Sequence, residues 1–124
     1  MTLKELYTLI DGDYDRAIAV LRIEKLIDKH IRRLPGNAIF TDLDEAGKTL
    51  EPARMFDAAH AIKGVCANLG LVKLSNVASE LSEEFRPGNA RTMSDEDVRK
   101  KIAEVDALLK KASDGISRYE SESL

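Results

Sequence analysis

The chain has 124 residues, 44% apolar and 33% charged, with 19 basic against 22 acidic side chains and a net charge of −3. Such a chain suits one globular domain with a single core, and its interleaved charges argue against nucleic acid, whose recognition needs concentrated positive charge. No apolar run approaches the ~20 residues of a membrane-spanning helix, and with no Trp and 5% aromatic residues the core must rest on Leu, Ile, Val and Ala, which favours packed helices.

The opening stretch, MTLKELYTLIDGDYD, carries acids where a secretory signal would be basic and offers no small-residue cleavage site, which predicts a cytoplasmic protein. Residues 3–9 and, after DGD, 13–20 read as two short helices of an N-terminal extension, 1–21. From Arg22, the apolar positions Ile23, Leu26, Ile27, Ile31 and Leu34 recur at helical spacing until Pro35-Gly36. The basic run KHIRR, 29–33, reads as a solvated helix face. Within it, His30 shares the side of Ile23, Ile27 and Leu34, so a partly buried structural role is expected. Phe40, Leu43, Ala46 and Leu50 suggest a shorter helical piece in the same arm.

Glu51-Pro52 opens the next helix, since proline fits a first helical turn. It runs to about Leu69, and Gly70 suits the left-handed residue after a helix. Leu71, Leu74, Ala78, Leu81 and Phe85 make another stripe, stopped by Pro87-Gly88. NARTM reads as a loop. Ser94 followed by Asp95, Glu96 and Asp97 is a helix start, a hydroxyl cap with acids at the positive end of the dipole. Val98, Ile102, Val105, Leu109, Ala112 and Ile116 line the last helix, and residues 118–124 read as a polar, frayed tail. Four arms, each with one stripe to bury, predict an all-α fold. Residues 22–117 would form an antiparallel up-down-up-down four-helix bundle, with the short additional N-terminal helices over one end.

The helix containing AAHAIKGVCANLG, 58–70, divides into two faces. With ~100° between successive residues, Met55, Ala58, Ala59, Ile62, Val65, Cys66 and Leu69 form one apolar arc that must face the core. Cys66 lies in that arc as a small buried hydrophobe. As a lone cysteine it can form neither an internal disulfide nor a thiolate metal cluster. His60 falls on the opposite side, with Ala53, Phe56, Asp57, Lys63, Gly64, Ala67 and Asn68.

Each neighbour has a physical reading. Gly64 costs roughly 1 kcal/mol relative to Ala within a helix, and it removes the side chain that would crowd the imidazole. Ala53 and Ala67 keep the surface low, so another protein could approach closely. Lys63, one turn away, would pair with a phosphoryl group, which carries about two negative charges. Phe56 would be an apolar anchor for a partner. A neutral imidazole offers a nucleophilic nitrogen. Spacing alone leaves open an ordinary surface histidine.

AHAIKGVCANLGLVKLSNVASEL, 59–81, resembles the signature of histidine phosphotransfer (HPt) domains: a histidine before a Lys-Gly pair, an Ala-Asn-Leu-Gly-like helix end, then leucines at fixed intervals. His60, Lys63, Gly64, Asn68, Gly70, Leu74 and Leu81 carry it. The resemblance implies a phosphocarrier in a multistep two-component phosphorelay, with His60 as acceptor and response-regulator receiver domains or a hybrid sensor kinase as partners. It implies no ATP-binding or autokinase site and no cofactor of the chain's own, the Mg²⁺ belonging to the receiver. Asn68 is expected to support the helix end or the rim of the docking face.

Other readings fit less well. In a kinase-dimerisation bundle the histidine is usually followed by an acid and soon by proline, whereas Ala61-Ile62-Lys63 follow here. A helix-turn-helix would need basic and amide residues after Gly70, where Lys73 stands alone. A non-catalytic helical adaptor would have no need of the His-Lys-Gly trio. No carboxylate pair is spaced with the two histidines, so no metal site is expected. A monomer that contacts neither membrane nor nucleic acid is the expected state.

Overall fold

A computed structural model describes residues 1–122, and among these every regular element is helical. Two short helices open the chain, α1 (Leu3–Leu9) and α2 (Tyr14–Leu21). Thr2 closes a capping box with Glu5 at the start of α1, and Asp13 caps α2 by accepting from the Arg16 N–H at 3.0 Å. α3 spans Glu24–Arg33, and Pro35-Gly36 ends it in a 3-10 turn, Leu34–Gly36.

The following apolar piece is not a continuation of that arm. It is a separate twelve-residue helix, α4 (Ala38–Thr49), with its own cap: Asn37 accepts from the Ile39 N–H at 3.1 Å. α5 (Pro52–Asn68), α6 (Val72–Phe85) and α7 (Asp95–Glu122) complete the chain. α4 packs on α5, α5 most extensively on α6, α6 on α7, and α7 on α4, so these four helices close a ring. α3 instead packs against α2 and α7.

α3 also departs from its predicted stripe. Ile27, Ile31 and Leu34 are fully buried, but Ile23 is 52% exposed and Leu26 38%. A ten-residue helix touching α7 on one side buries a narrower arc than its apolar spacing suggests.

The last helix does not stop at Ile116. Residues 118–122, expected as frayed tail, continue α7 through Glu122, while Ser123 and Leu124 lie outside the described residues. The extra turn is held by Tyr119, which is 7% exposed and donates its hydroxyl to Asp28 Oδ1 at 2.5 Å. The Arg32 guanidinium lies over the same ring, 5.0 Å from its centre. Residues 1–21 pack into the rest of the chain: Leu3, Leu6, Tyr7, Ile10 and Ala17 belong to the one continuous core.

Two polar arrangements sit within this packing. Glu84, buried near the end of α6, accepts from the backbone N–H of Thr92 and Met93 at 2.8 Å each, from the Thr92 hydroxyl and from Arg91. Burial opposes its ionisation, yet these donors outweigh it and hold the carboxyl down at about 2. Between α4 and α7, the half-buried Asp106 lies close to the exposed Asp44. Burial first, then Asp44, pushes the Asp106 carboxyl up to about 6.

Candidate functional site on α5

α5 starts where the sequence places it. Pro52 occupies the first turn, and the Glu51 carboxylate accepts from the N–H groups of Ala53 at 3.3 Å and Arg54 at 3.1 Å. Its end is more elaborate. Gly70 takes φ +69, the Leu71 N–H reaches the Cys66 carbonyl at 2.9 Å, and the Gly70 N–H reaches that of Ala67 at 3.1 Å. This is a Schellman closure, which needs a residue tolerant of positive φ. The N-terminal segment completes it: the Tyr7 hydroxyl donates to the Leu69 carbonyl at 2.7 Å, and the Asp13 N–H to that of Gly70 at 2.8 Å. Asn68 takes no part in this closure; its side chain is exposed on the rim.

The two faces separate as the helical wheel predicts. Met55, Ala58, Ala59, Ile62, Cys66 and Leu69 are buried, and Val65 is half-buried at the margin. Burial pushes the Cys66 thiol up to about 12, which leaves it inert. Ala53, Asp57, His60, Gly64 and Asn68 are exposed, and Lys63 and Ala67 half-exposed, along one stripe. A Cβ added at Gly64 would meet nothing within 4 Å. The space beside the imidazole is therefore open to solvent rather than filled by the fold. The Lys63 ammonium makes no ion pair among the described residues, while its backbone carbonyl accepts from the Ser75 hydroxyl at 3.3 Å.

Phe56 differs from the expected free anchor. It is half-buried and forms a platform: its ring stacks on the His60 imidazole, centres 5.3 Å apart and planes 16° from parallel. On the same ring lies the Arg86 guanidinium, 5.1 Å from the centre. Glu83 holds that guanidinium through Nε at 3.0 Å and Nη2 at 2.8 Å. Arg86 first, and more weakly Lys63 and His60, lower the Glu83 carboxyl below its usual range. Arg86 and Glu83 are thus part of the site, and the sequence reading missed them. They come from the far end of α6, which runs back along α5; the signal available was their matching distance from the Gly70 turn.

His30 is not the buried structural residue its spacing predicts. It is exposed and lines a cleft of about 370 Å³ between α3, the end of α2 and the end of α5. Among the described residues, no group of three His, Cys, Asp or Glu side chains could hold a metal ion. No helix is long and apolar enough to cross a membrane.

The α5 stripe thus carries an exposed imidazole stacked on the Phe56 ring, with Lys63 one turn on, Arg86 over the same ring and open space at Gly64. A family model of the Hpt domain matches residues 22–115, and the chain belongs to that family. No curated protein and no solved structure gives a significant match. Hpt domains act in phosphotransfer within two-component phosphorelays, where they meet receiver domains and kinases.

Proposed function

We propose that this chain is a phosphocarrier whose acceptor is His60. A receiver domain docks on the α5 stripe and presents its aspartyl phosphate. An unprotonated imidazole nitrogen attacks phosphorus, the bond to the aspartate oxygen breaks, and the carboxylate leaves with the electron pair. The reverse step returns the phosphoryl group to an aspartate on the same or another receiver. The observation that carries this reading is the stacked, solvent-facing His60 ring with open space over Gly64. A phosphoryl donor embedded in another protein needs such clearance to reach in-line geometry.

The roles of the neighbours follow from charge and shape. Lys63 offsets the phosphoryl charge, Phe56 fixes the plane of the imidazole, and Ala53, Asp57, Gly64, Ala67 and Asn68 form the low contact surface. The receiver supplies the Mg²⁺ and the remaining catalytic groups. The chain acts as a cytoplasmic monomer without kinase chemistry of its own. Residues 22–117 form the transfer module, with α4–α7 as its up-down-up-down bundle, a topology that the short links between consecutive helices favour.

Incubation with a cognate phosphorylated receiver is expected to place an acid-labile, base-stable label on the chain, and His60→Gln to abolish it. Label persisting in that variant would move the acceptor elsewhere. Binding without any label would leave a docking adaptor.

A further inference from the structure

The cleft beside α3 lies on the flank of the same stripe, with Asn68, two turns beyond His60, on its rim. Its volume of about 370 Å³ is at the small end of the ~300–1,000 Å³ typical of ligand clefts. Leu21, Leu34 and Val65 supply its apolar walls, while His30 and Arg33 stand at its edge. The Arg33 guanidinium has no ion-pair partner among the described residues, and His30 makes no hydrogen bond there. By contrast Asp28, on the same helix, is fully engaged by Arg32 and Tyr119.

The corner that forms one wall is unusual in its backbone. Arg22 sits at φ 75, ψ −37, and the Ile23 N–H reaches back to the Leu21 carbonyl at 2.9 Å, a tight three-residue turn at positive φ. Such a conformation is unfavourable for a residue with a side chain and persists only where the surroundings impose it. It sets Leu21 at the cleft and leaves Val20 47% and Ile23 52% exposed on the same corner. The groove at the other end of the stripe, between α4 and α5, carries Asp42 and Asp57 with Arg54. The α4 groove thus carries carboxylates beside its arginine, whereas the α3 cleft carries Arg33 and no acid.

We infer that the cleft is a second docking point for the receiver domain, occupied by one apolar side chain of the partner with a carboxylate within a helical turn of it. The apolar side chain fills the space between Leu21 and Val65, and the carboxylate pairs with Arg33 and accepts a hydrogen bond from His30. This rests on receiver docking at His60 and adds what fixes the receiver's rotation about that contact: its acidic edge must face α3. A charge pair at the rim acts mainly on encounter and orientation, so it sets which receiver is accepted rather than the chemistry.

The test measures receiver affinity and phosphotransfer kcat/KM for Arg33→Glu, Val65→Gln and Lys29→Glu, with labelling by phosphoramidate alongside as a partner-free check on His60. Arg33→Glu is expected to weaken affinity and kcat/KM about tenfold, with the loss shrinking as salt rises. Val65→Gln is expected to weaken both at every salt concentration. Lys29→Glu, on the same helix and outside the cleft, is expected to change little. A receiver variant with its contacting carboxylate changed to Lys should recover affinity for Arg33→Glu. Unaltered affinity in both cleft variants, or an equal loss in Lys29→Glu, would overturn the proposal. So would a concentration-dependent dimer that Val65→Gln disperses, since the occupant would then be a second copy. Absence of phosphoramidate label at His60 in the unmutated chain would count against the phosphocarrier reading, and receiver affinity would still judge the cleft.

Discussion

Glu83 and Glu84 are adjacent on α6, and they belong to opposite kinds of surface. Glu84 points into the protein, where it accepts from two backbone N–H groups, the Thr92 hydroxyl and Arg91, which also reaches Asp95, and the loop before α7 is clasped. Glu83 points outward to the α5 stripe, where Arg86 shares itself between a carboxylate and a ring, and Lys63 and the imidazole are left uncommitted. The clasp spends its hydrogen-bonding capacity on stability. The stripe keeps its capacity for a partner, and low internal satisfaction is the physical mark of the functional face.

Mutations can break this contrast from either side. The largest expected effect is at the clasp. Glu84→Ala strands the backbone N–H groups of Thr92 and Met93 and removes one partner of Arg91, at a cost of roughly 2–4 kcal/mol in denaturant unfolding. The folded fraction should still accept phosphoryl on His60, and loss of transfer in fully folded protein would show the clasp to be part of the site. The clasp is also pH-sensitive in one direction. A carboxyl held at about 2 contributes fully above the ordinary value near 4.5, and that contribution fades as pH falls from there towards 2.

On the stripe, Gly64 should separate stability from function. Gly64→Ala is expected to stabilise the chain by up to ~1 kcal/mol, because the helix gains propensity and the new Cβ meets no atom. Gly64→Leu should keep that folding advantage and slow transfer by about a hundredfold, measured in single turnovers with one receiver. Unimpaired transfer by Gly64→Leu would remove the clearance argument.

Phe56→Ala should slow transfer about tenfold by freeing the imidazole from its platform. Restoration of the rate by Phe56→Tyr, and not by Phe56→Leu, would show that the stacked ring matters rather than bulk. The smallest effect is expected far from both surfaces. Asp106, held up at about 6, stabilises the fold when protonated, an advantage complete below its ordinary value of 3.8 and lost as pH rises through 6. Stability should therefore rise by under ~1 kcal/mol as pH falls from 7 to 5. Asp106→Asn should flatten that rise; a rise of equal size in the variant would place the titrating group elsewhere.

The sequence made some of this legible. The buried arc of α5 could be read because one helix's periodicity depends only on its own residues. The outward position of His60, Lys63 and Gly64 follows from that arc, and Gly70 announced the helix end. What stayed hidden depends on which helix packs where. Phe56 was placed on the right side, but its role as a platform needs Arg86 from α6. The wheel position of His30 beside apolar neighbours suggests a partly buried structural role, whereas α3 buries Ile27 and Ile31, engages α7 through Asp28 and Arg32, and leaves His30 exposed at the cleft. Tyr119 sits in a polar run, and its burial depends on Asp28 and Arg32 of α3, some ninety residues away along the chain.

The family model matches residues 22–115, and hydrogen bonds that brace the histidine helix come from outside those limits. Tyr7 and Asp13 lie before that segment and Tyr119 beyond it, yet Tyr7 and Asp13 donate to the Leu69 and Gly70 carbonyls just past the histidine helix, and Tyr119 donates to Asp28 from the last turn of α7. Truncation to the matched boundaries would strip those three donors at once and let the end of α5 fray towards His60. Amide exchange at Gly70 and Leu71 would report it first, because both protons are buried in hydrogen bonds that the flanking residues brace. The recognisable domain keeps its reactive helix in register only while residues outside its recognisable limits keep hold of it.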